Sequence, residues 1–129
     1  MKFKNTRGQA TVELALILPI LLLILFGIME FGRIFSAYLI ITNAAREGAR
    51  QASIGADNAI IESSVYSAAY TLESSRLTID ISPFSKADRV TGVTSTVTVG
   101  YSVYLVIPMI SDIIQNPFPL QARSVMRVE

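Results

Sequence analysis

The strongest pattern in the chain is an apolar run close to its start. Residues Leu14 to Met29 carry no charge, and as an α-helix this run rises about 24 Å. Uncharged flanking residues extend it toward the ~30 Å thickness of a bilayer core. The pattern predicts a transmembrane helix over residues 9–33. Pro19 lies inside the run and predicts a helix kink, which membrane helices tolerate because neighbouring groups compensate for the missing N–H.

Charge at the start of the chain predicts the orientation of this helix. Residues 1–8 form a basic leader with three Lys or Arg side chains and no acid. By the positive-inside rule this end stays cytoplasmic, and the residues after the helix lie outside. Three interpretations remain open: a cleaved secretory signal, which lacks a clear cleavage site after the run, a signal anchor, and a leader cut before the run.

Glu13 is a candidate functional residue at the edge of the apolar run. An ionised carboxylate costs ~2.5–3.5 kcal/mol in mid-membrane, so it is either functional or an interfacial group that stays hydrated. If the chain were cut after Gly8, Gln9 would supply a new α-amine, and the Glu13 carboxylate would be placed to neutralise an ammonium group. Further along, Glu30 and Arg33 share a helix face, which predicts an ion pair near the membrane surface.

Beyond the apolar run, a stripe at spacings of three and four residues predicts that the helix continues over 34–53. Toward its end the stripe consists of the small residues Ala45, Gly48 and Ala49. Small residues allow another helix to approach closely. We expect helix packing at these positions, either by the chain's own second helix or by a neighbouring subunit.

A break separates this helix from the next. Gly55 suits a C-terminal cap and Asp57 suits the following N-cap. The pattern then predicts a second helix over 58–74, with apolar and polar residues on opposite sides. Such an amphipathic helix packs on a globular core.

From residue 77 the apolar period changes to two, which indicates β-strands. The alternation predicts three strands, over 77–82, 94–107 and 120–128. The long second and third strands pair most simply antiparallel, which gives a roughly three-stranded antiparallel sheet over the helices. The predicted fold class is therefore α+β, with an extracytoplasmic domain over 34–129 carried on a long N-terminal transmembrane helix.

The connection before the last strand is unusually apolar for a loop. Residues 105–114 read LVIPMISDII. This segment either covers the open end of the sheet or forms a contact site for another subunit.

Composition narrows the function classes. The chain has no Cys, His or Trp, which excludes zinc sites built on Cys or His, thiol nucleophiles, His-dependent triads and disulfides. A formal net charge of +1 argues against a nucleic-acid binder. The acidic residues of the chain form no calcium-loop or paired-carboxylate motif, and the chain has no phosphate-binding glycine-rich loop. We therefore expect no cofactor, no bound metal and no enzyme activity.

Three motifs within residues 7–50 together resemble the TadE-like proteins of tight-adherence pilus systems: RGQATVELALILP, GIMEFGRIF and NAAREGAR. The resemblance implies a pilin-like minor subunit, or pseudopilin, that acts by protein–protein association in assembly of a type IVb pilus. It implies leader-peptidase cleavage between Gly8 and Gln9, and a charge-pairing role in assembly for Glu13. Leu14 stands where the family often has an aromatic residue.

The resemblance also implies partners and a location. The partners are other pilin-like subunits, the pilus assembly machinery, membrane lipid and a prepilin peptidase as processing enzyme, with no nucleic acid. The location is the inner membrane, crossed once, with the N-terminus cytoplasmic and the domain extracytoplasmic; incorporation into the pilus stays open. The alternative is an uncleaved, membrane-anchored binding module of the envelope, which would not need Gly8.

Overall fold

The computed structural model describes residues 6–129 and their side chains from residue 8 onward. Most of the basic leader predicted over 1–8 therefore lies outside the described residues. The helices and strands, in chain order, are α1 (Thr6–Ser53), α2 (Asn58–Ala68), β1 (Leu77–Ser82), β2 (Thr94–Val103), α3 (Pro108–Ser111) and β3 (Phe118–Arg127). A long apolar helix, a second helix and a sheet confirm the predicted α+β fold.

Helix α1 is continuous over 48 residues, a length of about 72 Å. Its two halves have opposite surroundings. From residue 8 to residue 29 nearly every side chain is exposed, whereas from Glu30 onward one face is buried at intervals of three and four residues. The outer half of α1 is therefore part of the domain, and the inner half extends away from it.

The sheet has the order β1-β2-β3, and both pairs are antiparallel. In the central strand Val97 and Val99 are fully buried and Val103 is 4% exposed, which places alternate residues of β2 on the core side. The core lies between this face, α2 and the outer half of α1. It contains Ile41, Ala44, Ala45, Ala49, Ala52, Ile61, Val65, Ala69, Leu77, Ile81, Val97, Val99 and Ala122.

The second helix is shorter than its sequence pattern predicts. We expected it over 58–74, but α2 ends at Ala68 and the Ala69 N–H closes its last turn on the Val65 carbonyl at 2.9 Å. Aromatic and β-branched residues follow, which lose side-chain freedom in a helix. A turn brings Leu72 back toward the core, with its N–H on the Ala69 carbonyl at 2.9 Å.

The second strand also ends early, at Val103 rather than at residue 107. Beyond Val103, the side chain of Asn116 supplies the hydrogen bonds that a neighbouring strand would make to the backbone of Leu105. Its Oδ1 accepts the Leu105 N–H at 3.1 Å, and its Nδ2 donates to the Leu105 carbonyl at 3.4 Å. The third strand, predicted over 120–128, begins two residues earlier, at Phe118.

The turn between α1 and α2 has the predicted capping residues. Gly55 has a φ of 75°, in the left-handed region that glycine adopts without strain. Asp57 is the N-cap, but its side chain makes no capping hydrogen bond; its carboxylate contacts Lys86 Nζ at 2.9 Å instead.

Arg89 is a buried cation that connects this turn to the loop between β1 and β2. It is 5% exposed. One guanidinium nitrogen donates to Asn58 Oδ1 at 2.7 Å and to the Pro83 carbonyl at 3.1 Å, while the other donates to the Ala56 carbonyl at 2.9 Å. Carbonyl and amide oxygens thus compensate for the desolvation of these two nitrogens, whereas Arg89 Nε is buried without a hydrogen-bond partner among the described residues.

Candidate functional site

The residues at the predicted cleavage site lie in the first turns of α1. Gly8 and Gln9 are exposed, and a Cβ added to Gly8 would meet no atom of the other described residues within 4 Å, apart from the adjacent helix backbone. Glu13 is exposed one turn further along, and its Oε1 accepts a hydrogen bond from Gln9 Nε2 at 3.2 Å. Gln9 and Glu13 therefore lie on the same face of the helix, as residues four apart do.

The inner half of α1 presents an apolar surface on all sides. Leu14, Leu16, Ile20 and Ile28 are each more than 60% exposed. By length and composition this helix is able to cross a membrane. Pro19 lies within it, and α1 continues through this position. A kink at Pro19 stays a prediction.

The predicted ion pair between Glu30 and Arg33 is confirmed. Arg33 Nη1 lies 3.0 Å from Glu30 Oε1 and 3.2 Å from Oε2. Glu30 is 4% exposed, whereas the Arg33 side chain is 49% exposed. Arg33 Nη2 also donates to the Tyr104 carbonyl at 3.4 Å. This turn is where the domain begins to cover α1.

A cleft of about 630 Å³ opens at the same level, between α1 and the end of the sheet. Arg33 lines it on the helix side, and Arg76 and Tyr104 line it on the domain side. The Arg76 guanidinium lies over the Tyr104 ring at 4.5 Å from its centroid, a cation–π contact. Arg76 Nη2 also contacts Glu73 Oε2 at 2.9 Å. The sequence did not predict this cleft, because local spacing does not reveal contacts between residues so distant in the chain.

The small-residue stripe of α1 packs inside the chain itself. Ala45 and Ala49 are fully buried in the core. A Cβ added to Gly48 would lie 2.7 Å from Val65 Cγ2 and 3.0 Å from Val97 Cγ1. The chain's own α2 and β2 therefore occupy the face that the sequence left open to either partner.

The opposite side of the same helical segment carries a local ion pair. Arg50 Nε donates to Glu47 Oε2 at 3.1 Å. This hydrogen bond from Arg50 lowers the pKa of the Glu47 carboxyl, and it outweighs a small opposing effect of burial. The same contact raises the pKa of Arg50. The pair lies near the C-terminal end of α1, where a basic residue such as Arg50 also complements the helix dipole.

The described residues offer little for metal chemistry. Between residues 6 and 129, no group of three or more Asp or Glu side chains is close enough to hold a metal ion. The polar side chains that line the cleft are instead arginines and hydroxyl-bearing residues, which suit binding contacts: Arg33, Ser36, Thr71, Arg76, Tyr101 and Tyr104.

Comparison with known proteins finds a match for the N-terminal third. No curated protein and no solved structure matches the chain. Among protein families, the TadE-like proteins match residues 8–50. The matched segment begins at Gly8, contains Glu13, Pro19 and the Glu30–Arg33 pair, and ends near the close of α1. The match confirms the resemblance seen in the motifs: residues 8–50 are similar to the TadE-like family, and this family suggests a protein associated with the tight-adherence pilus.

Proposed function

We propose that this protein is a pilin-like minor subunit, a pseudopilin, in assembly of a tight-adherence type IVb pilus. It acts by protein–protein association in the cell envelope and not by catalysis. The observation that carries the proposal is the arrangement of Gly8, Gln9 and Glu13 at the head of an exposed apolar helix, within the TadE-like segment.

The proposed topology places residues 9–33 across the inner membrane, with the N-terminus cytoplasmic and residues 34–129 outside. Two features support it. The side chains of α1 are exposed and apolar up to Met29, and the domain begins to cover the helix at the Glu30–Arg33 pair. An ion pair with one half-exposed cation suits the membrane–water boundary, where long basic side chains reach toward the headgroups.

The proposed assembly step begins with removal of the leader. A prepilin peptidase cuts between Gly8 and Gln9, and the new α-amine becomes available for pairing. When two such helices pack side by side, the Glu13 carboxylate of one neutralises the ammonium of the other. At an effective dielectric of 20, two unit charges 4 Å apart attract by about 4 kcal/mol. The exposure of Glu13 supports this pairing, since no part of the described domain covers it.

Processing is tested by Gly8→Ala in the native host, with Gly27→Ala as the matched control. Both glycines lie in α1, and among the described residues a Cβ at either position would meet no atom within 4 Å outside the adjacent helix backbone. We expect Gly8→Ala to retain the full leader mass in intact-mass measurement, whereas Gly27→Ala and the unchanged protein begin at Gln9. An unchanged protein that still starts at Met1, in a host with an active prepilin peptidase, would contradict the processing step.

The cleft beside Arg33 favours one alternative from another class. An uncleaved, membrane-anchored binding module would use this cleft to hold an envelope partner and would be indifferent to the residue at position 8. Normal surface piliation in the Gly8→Ala strain, together with loss of function in Arg76→Ala, would favour this alternative over the pseudopilin.

A further inference from the structure

The direction of β2 shows which end of the domain faces the inner half of α1. The start of β2 lies beside the end of α1, because the Val128 N–H bonds to the Val93 carbonyl at 2.8 Å and the Glu129 N–H bonds to the Ser53 carbonyl at 3.0 Å. The residue after β2, Tyr104, contacts Arg33 through its carbonyl. Ten strand residues span about 33 Å, and the helix from Arg33 to Ser53 spans about 30 Å. Strand β2 therefore runs back along α1, from its far end to the Glu30–Arg33 turn.

The loop that follows β2, residues 104–117, continues in this direction. The Asn116 side chain bonds to both backbone groups of Leu105 and so closes the loop at its base. Leu105 itself is tucked in, at 7% exposed. The loop leaves the sheet at Val103 and re-enters it at Phe118, which pairs with Val103, so residues 106–115 lie at the end of the sheet nearest Arg33.

The part of the loop between Leu105 and Asn116 is apolar, and several of its side chains are exposed. Val106 is 70% exposed, Met109 is 62% exposed and Ile113 is 85% exposed. Its one charged side chain is Asp112. Exposed apolar clusters of this kind on a surface loop mark a contact with another molecule or with a membrane.

We propose that the exposed apolar side chains of the 104–117 loop enter the lipid leaflet on the domain's side of the membrane that α1 crosses. The inference rests on the membrane span in the proposed function. Lipid is favoured over a second chain because Tyr104, the first residue of the loop, lines the cleft together with Met29, the last residue of the exposed apolar half of α1. The groups beside the loop are those that favour the headgroup region: the guanidinium groups of Arg33 and Arg76 and the ring of Tyr104.

This second contact fixes how the domain sits on the membrane. A helix alone leaves the domain free to rotate about the helix axis, whereas a loop seated ~5–10 Å deep in the headgroup and acyl boundary orients one side of the domain toward lipid. The side of the domain that carries the 104–117 loop would then contact lipid, and not a neighbouring subunit, while the protein resides in the bilayer.

The test uses single tryptophans, because the chain has none of its own. Full-length Ile113→Trp, Ile54→Trp and Ile24→Trp are each reconstituted at low density in phospholipid vesicles whose acyl chains are brominated near the headgroup end. Ile54 is the matched control, since it is 61% exposed but lies just past the far end of α1; Ile24 reports on the span itself and is 52% exposed. Circular dichroism confirms that each variant is folded.

We expect bromolipid to quench Ile113→Trp at least half as strongly as Ile24→Trp, with a blue-shifted emission, and to leave Ile54→Trp unquenched. Quenching of Ile24→Trp but not of Ile113→Trp would overturn the loop inference and leave the span intact. Failure to quench Ile24→Trp would overturn the span as well. An emission shift at position 113 that appears only at high protein density, without quenching, would show a second copy covering the loop and would also overturn the inference.

Discussion

At Gly48, α1 lies close to both α2 and β2. The hydrogen atom of Gly48 faces Val65 and Val97, two fully buried side chains with little freedom to move. Neighbouring Ala45 and Ala49 are also fully buried. The small side chains at Ala45, Gly48 and Ala49 therefore determine how closely α1 packs against the rest of the domain.

Replacing Gly48 with Ala is expected to destabilise the domain. The new methyl would overlap Val65 Cγ2 at 2.7 Å; overpacking costs about 1–3 kcal/mol, against at most about 1 kcal/mol gained from helix propensity. Thermal unfolding of the full chain in detergent, followed by circular dichroism, measures the difference. The control is Gly32→Ala, whose Cβ meets no atom within 4 Å. Equal melting temperatures for the two variants would contradict the packing described here.

Residue spacing predicted the local contacts of the chain well and its distant contacts poorly. The Glu30–Arg33 pair follows from a spacing of three on a helix, and the positive φ of Gly55 follows from its place after an apolar stripe. Arg89 shows the limit. Its acceptors come from separate turns, at Ala56, Asn58 and Pro83, and no local pattern identifies an arginine that will be buried among carbonyls.

At element scale, α1 combines two kinds of helix in one segment. Its inner half has no buried stripe, and its outer half packs on one face against α2 and the sheet. The alternation in β2 predicted the strand and its buried face, but the end of the strand depends on Asn116, eleven residues beyond Leu105. Element type was predictable from period, whereas the ends of α2 and β2 depend on where the chain must turn to meet its partners.

The ion pair in the last turns of α1 predicts a pH dependence. Because the Arg50 hydrogen bond lowers the pKa of Glu47 below its ordinary value of 4.5, the folded state favours the ionised carboxylate. This contribution to stability is present above pH 4.5 and is lost as the pH falls through the lowered pKa. We expect the melting temperature of Glu47→Gln to lie slightly below that of the unchanged protein at pH 7 and to converge with it in acid.

The effect of Glu47→Gln is small because the pair is exposed to solvent and salt. Arg50→Gln serves as the second measurement, since it removes the same hydrogen bond from the other side and should give the same convergence. A difference in melting temperature that grows in acid would contradict this account of the pair.

At the scale of the whole molecule, the fold separates the exposed apolar half of α1 from the packed α+β domain. The α+β architecture could be predicted from the sequence, since hydropathy located the long helix and a period of two located the strands. The cleft and the 104–117 loop could not be placed, because their position depends on how β2 runs along α1. The roles of Gly8, Gln9 and Glu13 in processing and assembly stay predictions.

Assembly should depend on the charge of Glu13 while membrane insertion does not. We expect Glu13→Ala to fractionate with membranes as the unchanged protein does and to reduce surface piliation strongly, because the proposed partner ammonium is left without a counter-charge. Glu62→Ala is the control, since Glu62 is also an exposed acid and lies on α2. Electron microscopy of pili and membrane fractionation measure the two effects. Normal piliation in the Glu13→Ala strain would remove the pairing role.

The unbroken course of α1 has a mechanical consequence. Between Pro19 and Ser53 the helix contains no further proline and no loop. The domain is therefore joined to the exposed apolar half of α1 by a rigid helix and not by a flexible linker. A force applied to the domain is therefore transmitted directly to the exposed apolar half of α1, because there is no flexible linker to extend first. If the protein were extracted from a bilayer, the apolar half of α1 and the domain would move together as one rigid unit.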